Sequence, residues 1–596
     1  MDRSVVRSFF RLLNSRTPEL PNHRMLLQGK DMRSRILGIF FVLLLSLAGI
    51  GAKLFFLQIQ QGHRLAERAT KQYERRLPIV SRRGTIYDRA GRELAVSLRV
   101  SSVFAQPAAI EHPAGTARTL APILGQSVKE LQARLTSDRP FVWIQRQLDP
   151  AQSGAITNLN LKGIGLFPES RRYYPRQERA AHILGLVGLD DRGLEGLEFQ
   201  YDDLLGGQPQ FIVAQQDALG RIVFRREGPK PQPPIFDLTL TIDEVLQYIA
   251  ERELDRAAAR SRAKAGTAIV MDPWTGEILA LANVPTYDPN NYRKASSAAR
   301  RNRAATDTFE PGSAFKVILA AGALEEGVVR PGDWFHGENG AIEVSGVTIR
   351  DHEKHGWLTV QQILAQSSNV GAIKIGQKLG KSLYYHYISG FGFGTVTGLD
   401  LPGETPGLMR RPKGWSGLSL PVLSLGQEIS VTPIQVATAF AAVANGGNLL
   451  RPHVVRSLRA QDGSLHRQVE PVVIRRVISA ETAQILLAML RAVVEEGTGK
   501  EAALVEYTVA GKTGTAQKLD PSTGRYSQQR VVASFVGAVP AERPRLVILV
   551  VIDDPETLRW GGSVAAPAFR EIARDALKYL RVPPSPMRDV RLVRAG

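Results

Sequence analysis

A chain of 596 residues, 43% hydrophobic and 22% charged, is long and apolar enough to fold into several domains, and its composition is not that of a disordered protein. The absence of cysteine excludes thiol catalysis, cysteine-ligated metals and disulfides. The formal net charge of +19 comes from scattered Lys and Arg without an aromatic–basic recognition motif, which favours contact with anionic lipid or acidic polymers over nucleic acid.

A membrane span over residues 36–57 is the first predicted element. Residues 36–52 carry no charge, and the apolar character resumes directly after Lys53; about 20 such residues cross the hydrocarbon of a bilayer. Basic residues outnumber acidic ones before the span, which predicts a cytoplasmic basic tail (1–35) and export of the rest. Because the apolar stretch exceeds the core of a signal peptide, we predict an uncleaved anchor.

A scaffold domain is predicted over residues 58–234. Short apolar runs alternate there with turn-forming residues, and no strong catalytic signature is present. The segment ends in GPKPQPP (228–234), in which four of seven residues are proline. Proline favours extended backbone and interrupts sheet ladders, so this segment is predicted to be the seam between two domains.

A second domain is predicted over residues 235–582, followed by a C-terminal tail (583–596). It opens with a short strand (238–241) and a capping box, TIDE (241–244), at the start of an amphipathic helix. The apolar side chains that share one face of this helix are Val245, Leu246, Ile249 and Leu254.

Hairpins are predicted at both ends of the second domain. The first joins residues 268–272 to 277–281 through PWTG, and the second joins 531–539 to 546–552 through PAERP. A helix over 567–580 follows. Strands at both ends with helices between them predict an α+β domain in which the first and last elements come together.

A serine and a lysine are placed for nucleophilic chemistry where an apolar helix begins. In EPGSAFK (310–316), Ser313 and Lys316 are one helical turn apart on the same face. A neutral Lys316 can take the serine proton if burial or a neighbouring cation lowers its pKa, and the helix N-terminus favours an alkoxide on Ser313. The same S-x-x-K pattern occurs at Ser261, but no apolar helix follows it, so we predict Ser313 as the nucleophile.

Two further signatures follow in order, and each occurs once. They are Ser367-Ser-Asn369 and Lys512-Thr-Gly-Thr515. S-x-x-K, S-D-N and K-T-G together form the active-site set of penicillin-binding proteins and class A β-lactamases. A proline and a serine at a helix start are also ordinary capping chemistry, so the motifs are specific only as a set.

On these motifs, residues 240–582 closely resemble the transpeptidase domain of a class B penicillin-binding protein, where S-S-N is a familiar variant of the middle motif. The domain before it resembles the pedestal, or dimerisation-type, domain of the same class in RGTIYDRAG (83–91), RYYP (172–175) and GLEGLE (193–198). The resemblance covers nearly the whole chain beyond the anchor. It implies an elongated pedestal, an antiparallel sheet flanked by helices, and neither cofactor nor metal.

The resemblance implies a catalytic role for five residues. Ser313 is acylated by the D-Ala-D-Ala end of a stem peptide, with Lys316 as its base. Ser367 and Lys512 relay a proton toward the departing D-alanine, and Asn369 holds the substrate amide.

Substrate-binding roles are implied for the third motif. Thr513 and Thr515 bind the terminal carboxylate, and the backbone N–H groups of Ser313 and Thr515 form the oxyanion hole. Gly514 leaves room for a peptide laid along the strand as an added β-strand.

Partners and a cellular role are implied as well. The partners are peptidoglycan stem peptides (a D-Ala-D-Ala donor and an amine acceptor), β-lactams and the bacterial inner membrane. Because the pedestal lacks the acidic signature of a glycosyltransferase, a polytopic division glycosyltransferase is the expected partner, together with divisome proteins. RNRA (301–304), FEPGS (309–313) and SNVG (368–371) resemble the division-specific type; elongation and sporulation roles stay open.

Competing interpretations are each weakened by a feature of the sequence. GKT (511–513) is not a P-loop, because Glu506 stands where the first glycine is required. HEKH (352–355) lacks the second histidine of a zinc helix, since Gly356 occupies its position, and is predicted to be a solvated loop. The intact motifs disfavour a silent scaffold or a β-lactam sensor. A carboxypeptidase or β-lactamase is the closer alternative, although β-lactamases are usually small and soluble.

Overall fold

The computed structural model describes residues 31–79, 82–206, 210–216, 222–225, 234–520 and 522–585. Most of the predicted basic tail, most of the proline-rich seam and the end of the C-terminal tail lie outside the described residues. The chain divides into two compact units: Met1–Pro78 with Phe211–Pro229, and Ile79–Gln210 with Lys230–Gly596.

The first unit contains the predicted anchor. Helix Asp31–Phe55 continues through a π-helical turn, Phe56–Gln60, and helix Gly62–Tyr73 follows. Within it, Ser34–Gln60 spans 27 residues and is the one helical stretch among the described residues that is long and apolar enough to cross a membrane. Its large apolar side chains are exposed, as is expected of a helix surrounded by lipid. A small sheet consists of strands Glu74–Ile79, Gln210–Gln216 and Ile222–Arg225.

The pedestal is built on a sheet that also includes strands from later in the chain. Across this sheet the order is Leu465–Gln468, Val455–Ala460, Phe236–Leu240, Ile86–Tyr87, Glu93–Ala105 and Val142–Leu148, and Ile164–Tyr173 pairs with Glu93–Ala105. Phe236–Leu240, predicted at the start of the second domain, is therefore a strand of the pedestal sheet. A separate small core forms where this sheet packs against helices Pro113–Leu124, Val128–Leu135 and Pro150–Leu159.

Shorter elements complete the pedestal. They are strands Leu186–Val187 and Gly193–Glu195 and helices Ala181–Leu184, Gly196–Gln200 and Asp202–Leu205.

The three pedestal boxes found in the sequence meet in one buried ion cluster. The carboxylate of Glu198 accepts hydrogen bonds from Arg83 Nε and from Arg172 Nε, each at 2.6 Å. Arg83 also bonds through Nη1 to Asp202, at 2.6 Å. All three side chains of the central triad are almost completely inaccessible to solvent. Because a buried charge is tolerated only when it is paired, the cluster holds these three distant segments in one arrangement.

Replacing Glu198 with alanine is expected to destabilise the pedestal by about 3–5 kcal/mol, because two buried guanidinium groups lose their shared carboxylate. The midpoint of urea unfolding of the full-length protein, followed by circular dichroism, measures the effect. Glu111→Ala is the matched control, since it removes an ion pair with Lys162 in which both side chains are exposed. Equal midpoint shifts in the two variants would contradict a structural role for the buried cluster.

The second domain is organised around a five-stranded antiparallel sheet. Ala265 pairs with Asp553, so strands from both ends of the domain meet, as predicted. Ile269 and Val270 belong to different hydrophobic clusters on opposite faces, which is the two-residue period of a strand buried on both sides. In order, the strands are Ile278–Val284, Ala265–Met271, Leu546–Asp553, Arg525–Val539 and Ala510–Asp520.

Helices cover both faces of this sheet. Glu244–Ser261 and Gly561–Tyr579 pack on one face, and Lys316–Glu325, Pro433–Ala444 and Ala480–Glu495 contribute to the core on the other. The remaining helices are Ser297–Arg300, Arg303–Thr306, Val360–Ala365, Asn369–Leu379, Lys381–Gly390 and Ser419–Ser424. Three two-stranded ribbons pair Trp334–His336 with Trp357–Thr359, Ala341–Val344 with Val347–Arg350, and Asn448–Leu450 with Val473–Arg476. The predicted α+β class with its apolar N-terminal helix is confirmed.

The cap of helix Glu244–Ser261 differs from the prediction. Asp243, rather than Thr241, accepts hydrogen bonds from the first-turn amides, at 2.9 Å from Val245 N and 3.3 Å from Leu246 N. Thr241 is buried, and its hydroxyl donates to Ile278 O at 2.6 Å. The predicted capping box was wrong because burial commits the threonine hydroxyl to a tertiary contact.

The last helix also starts earlier than predicted, at Gly561 rather than Pro567. A Cβ on Gly561 would stand 2.3 Å from Ser534 O and 2.4 Å from Gly514 O, so only glycine lets the helix begin against the sheet. Its amide donates to Thr515 Oγ1 at 3.0 Å, which satisfies one of the free donors of the first turn. Pro567 is consequently inside the helix and does not start it.

Candidate active site

Ser313 stands on a tight turn that packs against the edge of the sheet and leads into a helix. The turn, Gly312–Phe315, is a 3-10 helix, and it leads directly into helix Lys316–Glu325. Gly312 has a φ of +53°, and a Cβ on it would be 2.9 Å from Thr515 O. Glycine is therefore required for the turn to approach the edge strand Ala510–Asp520 this closely. Ser313 is half-buried in the wall of a cleft of about 560 Å³.

Lys316 brings the first two motifs together. Its side chain is buried, and Nζ donates to Ser367 O at 2.6 Å and to Asn369 Oδ1 at 2.8 Å. The amine is thus held by the second motif, one helical turn from Ser313. A catalytic hydrogen bond to the nucleophile commonly tightens only when the substrate is in place.

Ser367 connects the two lysines. Its Oγ is 3.0 Å from Lys512 Nζ and 3.4 Å from Lys316 Nζ. The residue has a φ of +59°, a left-handed conformation that is uncommon for any residue except glycine. Such backbone conformations persist where the surrounding structure imposes them, commonly at functional sites.

The pKa values of both lysines are lowered from those of an ordinary lysine. Burial lowers the pKa of Lys316 to about 7, and the Asp351 carboxylate opposes part of that shift. Burial also lowers the pKa of Lys512, and the neighbouring Lys316 lowers it further. An amine whose pKa is near neutral is suited to accept a proton and return it, which an ordinary lysine is not.

The third motif lines the cleft from the edge strand. Thr513 and Thr515 both contribute to its wall. Thr513 Oγ1 is 2.8 Å from Thr498 Oγ1, and Thr515 Oγ1 accepts from Gly561 N at 3.0 Å. The cleft therefore carries hydroxyl groups beside Ser313 that are oriented by their own hydrogen bonds.

Gly514 packs closely against the turn that carries Ser313. A Cβ there would be 2.3 Å from Ser534 Oγ and 2.8 Å from Pro311 O. The added side chain would meet the protein interior, so the glycine is required by the close approach of the turn that carries Ser313.

Asp351 is a residue of the site that motif reasoning missed. Its carboxylate accepts from the backbone amides of Asn369 and Val370 and, at 2.7 Å, from Ser368 Oγ. It thereby satisfies the start of helix Asn369–Leu379 and fixes the middle motif. No spacing rule connects an aspartate to a helix that begins so far along the chain.

His352 and Trp560 are in ring contact at the wall of the cleft. Both contribute to its wall, and their rings are perpendicular with centroids 4.7 Å apart. The HEKH segment is thus an irregular loop at the cleft, in agreement with the loop prediction. In the part of the chain that the structure describes, no group of three or more metal-ligating side chains is present.

The rejected serine is structurally different from Ser313. Ser261 is the buried last residue of its helix, and its Oγ donates to Ala257 O at 2.8 Å. Lys264 Nζ bonds to Asp554 Oδ2 at 2.7 Å.

A separate cavity of about 590 Å³ beside Arg303 and Glu310 contains none of the residues of the three predicted motifs.

These groups together define a serine acyl-transfer site. They are a half-buried serine, two buried lysines with lowered pKa values, a second serine that bridges the lysines, and an edge strand that carries two threonines. Residues 266–574 match the penicillin binding protein transpeptidase domain, and residues 78–235 match the penicillin-binding protein dimerisation domain. The chain belongs to the penicillin-binding protein transpeptidase family, and its predicted membership of class B is confirmed.

Named relatives align over almost the whole chain. Stage V sporulation protein D of Bacillus subtilis is 35% identical, over 93% of this chain and 87% of its own. Peptidoglycan D,D-transpeptidase FtsI of Escherichia coli is 34% identical, over 91% of each chain. The crystal structure of penicillin binding protein 3 from Mycobacterium tuberculosis, complexed with aztreonam, has a TM-score of 0.68 and 29% identity, covering 86% of this chain and 98% of that one.

Proposed function

We propose that this chain is a peptidoglycan D,D-transpeptidase that cross-links stem peptides through an acyl-Ser313 intermediate. The observation that carries the proposal is the position of Ser367 Oγ between two buried lysines, in the cleft that Ser313 lines. The relatives named as D,D-transpeptidases support the reaction class.

Acylation begins with proton removal from Ser313. Neutral Lys316 takes the hydroxyl proton, and Ser313 Oγ attacks the carbonyl carbon of the penultimate D-alanine. The backbone amides of Ser313 and Thr515 stabilise the resulting oxyanion. When the C–N bond breaks, Ser367 and Lys512 pass a proton to the nitrogen of the departing D-alanine.

Substrate is held on both sides of the nucleophile. Thr513 and Thr515 bind the terminal carboxylate, Asn369 holds a substrate amide, and the hydroxyl contact with Thr498 orients Thr513. An acceptor amine then attacks the acyl carbon of the acyl-enzyme. Its proton passes through the lysine–serine relay to Ser313 Oγ as the acyl carbon–oxygen bond breaks, which restores the Ser313 hydroxyl. β-Lactams acylate the same serine because their ring carbonyl occupies the position of the peptide carbonyl.

The test supplies full-length protein with a stem pentapeptide and an amine acceptor. Mass spectrometry then follows D-alanine and the peptide products. Joined donor and acceptor, with one D-alanine released per bond, supports a transpeptidase. Release of D-alanine with only hydrolysed peptide would move the assignment to a carboxypeptidase, and rapid turnover of penicillin would move it to a β-lactamase.

We propose the division septum as the place of action. The division-type motifs in residues 301–304, 309–313 and 368–371 and the similarity to FtsI support this, whereas the sporulation relative is equally similar. Depletion of the protein in its own cells is expected to give filaments without septa. Rounded cells would indicate an elongation role, and a defect confined to spores would indicate sporulation. A polytopic division glycosyltransferase and other divisome proteins are the proposed partners.

The proposal includes a membrane topology and domain boundaries. The basic tail (1–35) is cytoplasmic, the anchor (36–57) crosses the inner membrane once, and the pedestal (58–234) and transpeptidase domain (235–582) are extracytoplasmic. The excess of basic residues before the anchor supports this topology.

A further inference from the structure

Two exposed tryptophans lie on neighbouring strands of a two-stranded ribbon of the transpeptidase domain. We call the paired strands Trp334–His336 and Trp357–Thr359 the tryptophan ribbon; they are antiparallel, with Phe335 opposite Leu358. Phe335 and Leu358 pack toward the hydrophobic core. Trp334 and Trp357 point the other way, with 60% and 64% of their surface exposed.

The register places the two tryptophans on the same face of the ribbon. His336 is opposite Trp357, and Trp334 is opposite Thr359, so the tryptophans are a diagonal pair whose side chains start about 7–8 Å apart. The His336 ring is perpendicular to that of Trp357, with centroids 5.2 Å apart. Lys374 bonds to Glu338 at the edge of the ribbon. The surface therefore combines aromatic rings with hydrogen-bonding side chains.

Such a surface indicates a ligand-binding site, because large aromatic side chains are seldom exposed to water close together without a function. Two indoles offer about 300–500 Å² of contact area at most. That is well below the roughly 800 Å² that each partner buries in a stable protein interface. The size suits one or two sugar rings, whose apolar C–H faces pack against aromatic rings while their hydroxyl and amide groups bond to polar neighbours.

The ribbon adjoins, along the chain, a loop that lines the catalytic cleft. Its second strand begins at Trp357, directly after the loop in which Asp351, His352 and His355 line the cleft together with Ser313. In peptidoglycan the stem peptide is joined to the glycan at the end opposite to its D-alanines. A five-residue stem reaches at most about 17 Å when extended, so the sugars of a bound donor lie near the wall of the cleft.

We propose that the tryptophan ribbon binds the glycan backbone of the peptidoglycan strand whose stem peptide occupies the cleft. This inference rests on the proposed function and adds a second point of substrate recognition. The indoles of Trp334 and Trp357 stack on the C–H faces of N-acetylated amino sugars. The enzyme then distinguishes a stem peptide attached to glycan from a free one.

The test compares two substrates in the full-length protein. Trp334→Ala/Trp357→Ala is expected to lower kcat/KM for glycan-linked stem peptides by about tenfold or more, while free stem peptides and penicillin acylation are unaffected. Trp274→Ala is the matched control, because Trp274 is 50% exposed and stands on the turn between two strands of the five-stranded sheet. If the double variant does not fold, Trp357→Leu retains an apolar side chain and removes the ring.

Direct binding provides an independent readout. Glycan chains freed of peptide by amidase digestion are titrated into the wild-type protein and followed by calorimetry, and binding is expected to weaken at least about tenfold in the double variant. The inference is overturned if wild type does not bind these chains, or if the variant loses both substrates equally or neither. Failure of the proposed function is distinguishable, because wild type would then process no stem peptide at all.

Discussion

A Ser313→Ala variant is expected to form no covalent adduct with penicillin and to lose transpeptidation by at least about 10³-fold. The wild-type protein should gain the mass of one drug molecule. The variant should gain none, because the one side chain on the turn that can form the acyl bond is gone. Intact-mass spectrometry of the full-length protein measures the adduct, and release of D-alanine measures turnover.

The chain provides its own control for this experiment. Ser261 begins the second S-x-x-K sequence, but its hydroxyl is buried and committed to the backbone. Ser261→Ala should therefore leave the adduct intact. An adduct that survives in Ser313→Ala would place the nucleophile elsewhere and return the sensor and scaffold interpretations to consideration.

Removal of the proposed base is expected to have the next largest effect. Lys316→Met should slow penicillin acylation by about 10²–10⁴-fold, the usual contribution of a positioned proton acceptor. The substitution also removes the hydrogen-bond donor to Ser367 O and Asn369 Oδ1. Stopped-flow acylation rates measure the loss. Lys264→Met is the control, because that lysine belongs to the second S-x-x-K sequence, its side chain is exposed, and its partner Asp554 keeps an ion pair with Arg530.

The pH dependence of the acylation rate tests whether Lys316 acts as a base. A base acts in its neutral form, and burial lowers the pKa of Lys316 to about 7. Acylation by the wild-type protein should therefore rise with pH through a midpoint of about 7 and level off above it. Lys316→Arg keeps a permanent positive charge and should be slow at every pH. A flat wild-type profile would argue against Lys316 as the base.

The parts of the site that the sequence predicted are those tied to fixed local spacing. Ser313 and Lys316 are related by one helical turn, and Ser367 with Asn369 by a tight turn. Folding then placed these motifs against Lys512. Asp351 and Thr498 were missed because their contacts depend on tertiary approach, and a lone carboxylate or hydroxyl has no recognisable pattern.

The fold shows the same limit. The hairpins were predictable because turn residues separate apolar strands, and the pairing of the domain's two ends followed from their apolar runs. The cap at Asp243 and the helix start at Gly561 were not predictable, because each depends on contacts with residues distant in sequence. The partners of strand Phe236–Leu240 were equally hidden, because strand propensity does not specify which sheet a strand joins.

That strand has a mechanical consequence. Phe236–Leu240 lies between Ile86–Tyr87 of the pedestal and Val455–Ala460, which comes from the middle of the transpeptidase sequence. The pedestal and the catalytic domain are therefore joined across a hydrogen-bonded ladder and not by a tether alone. A load applied to the pedestal is carried by backbone hydrogen bonds into the catalytic domain. A catalytic fragment cut away at this junction would expose an unpaired strand edge, which is a template for self-association.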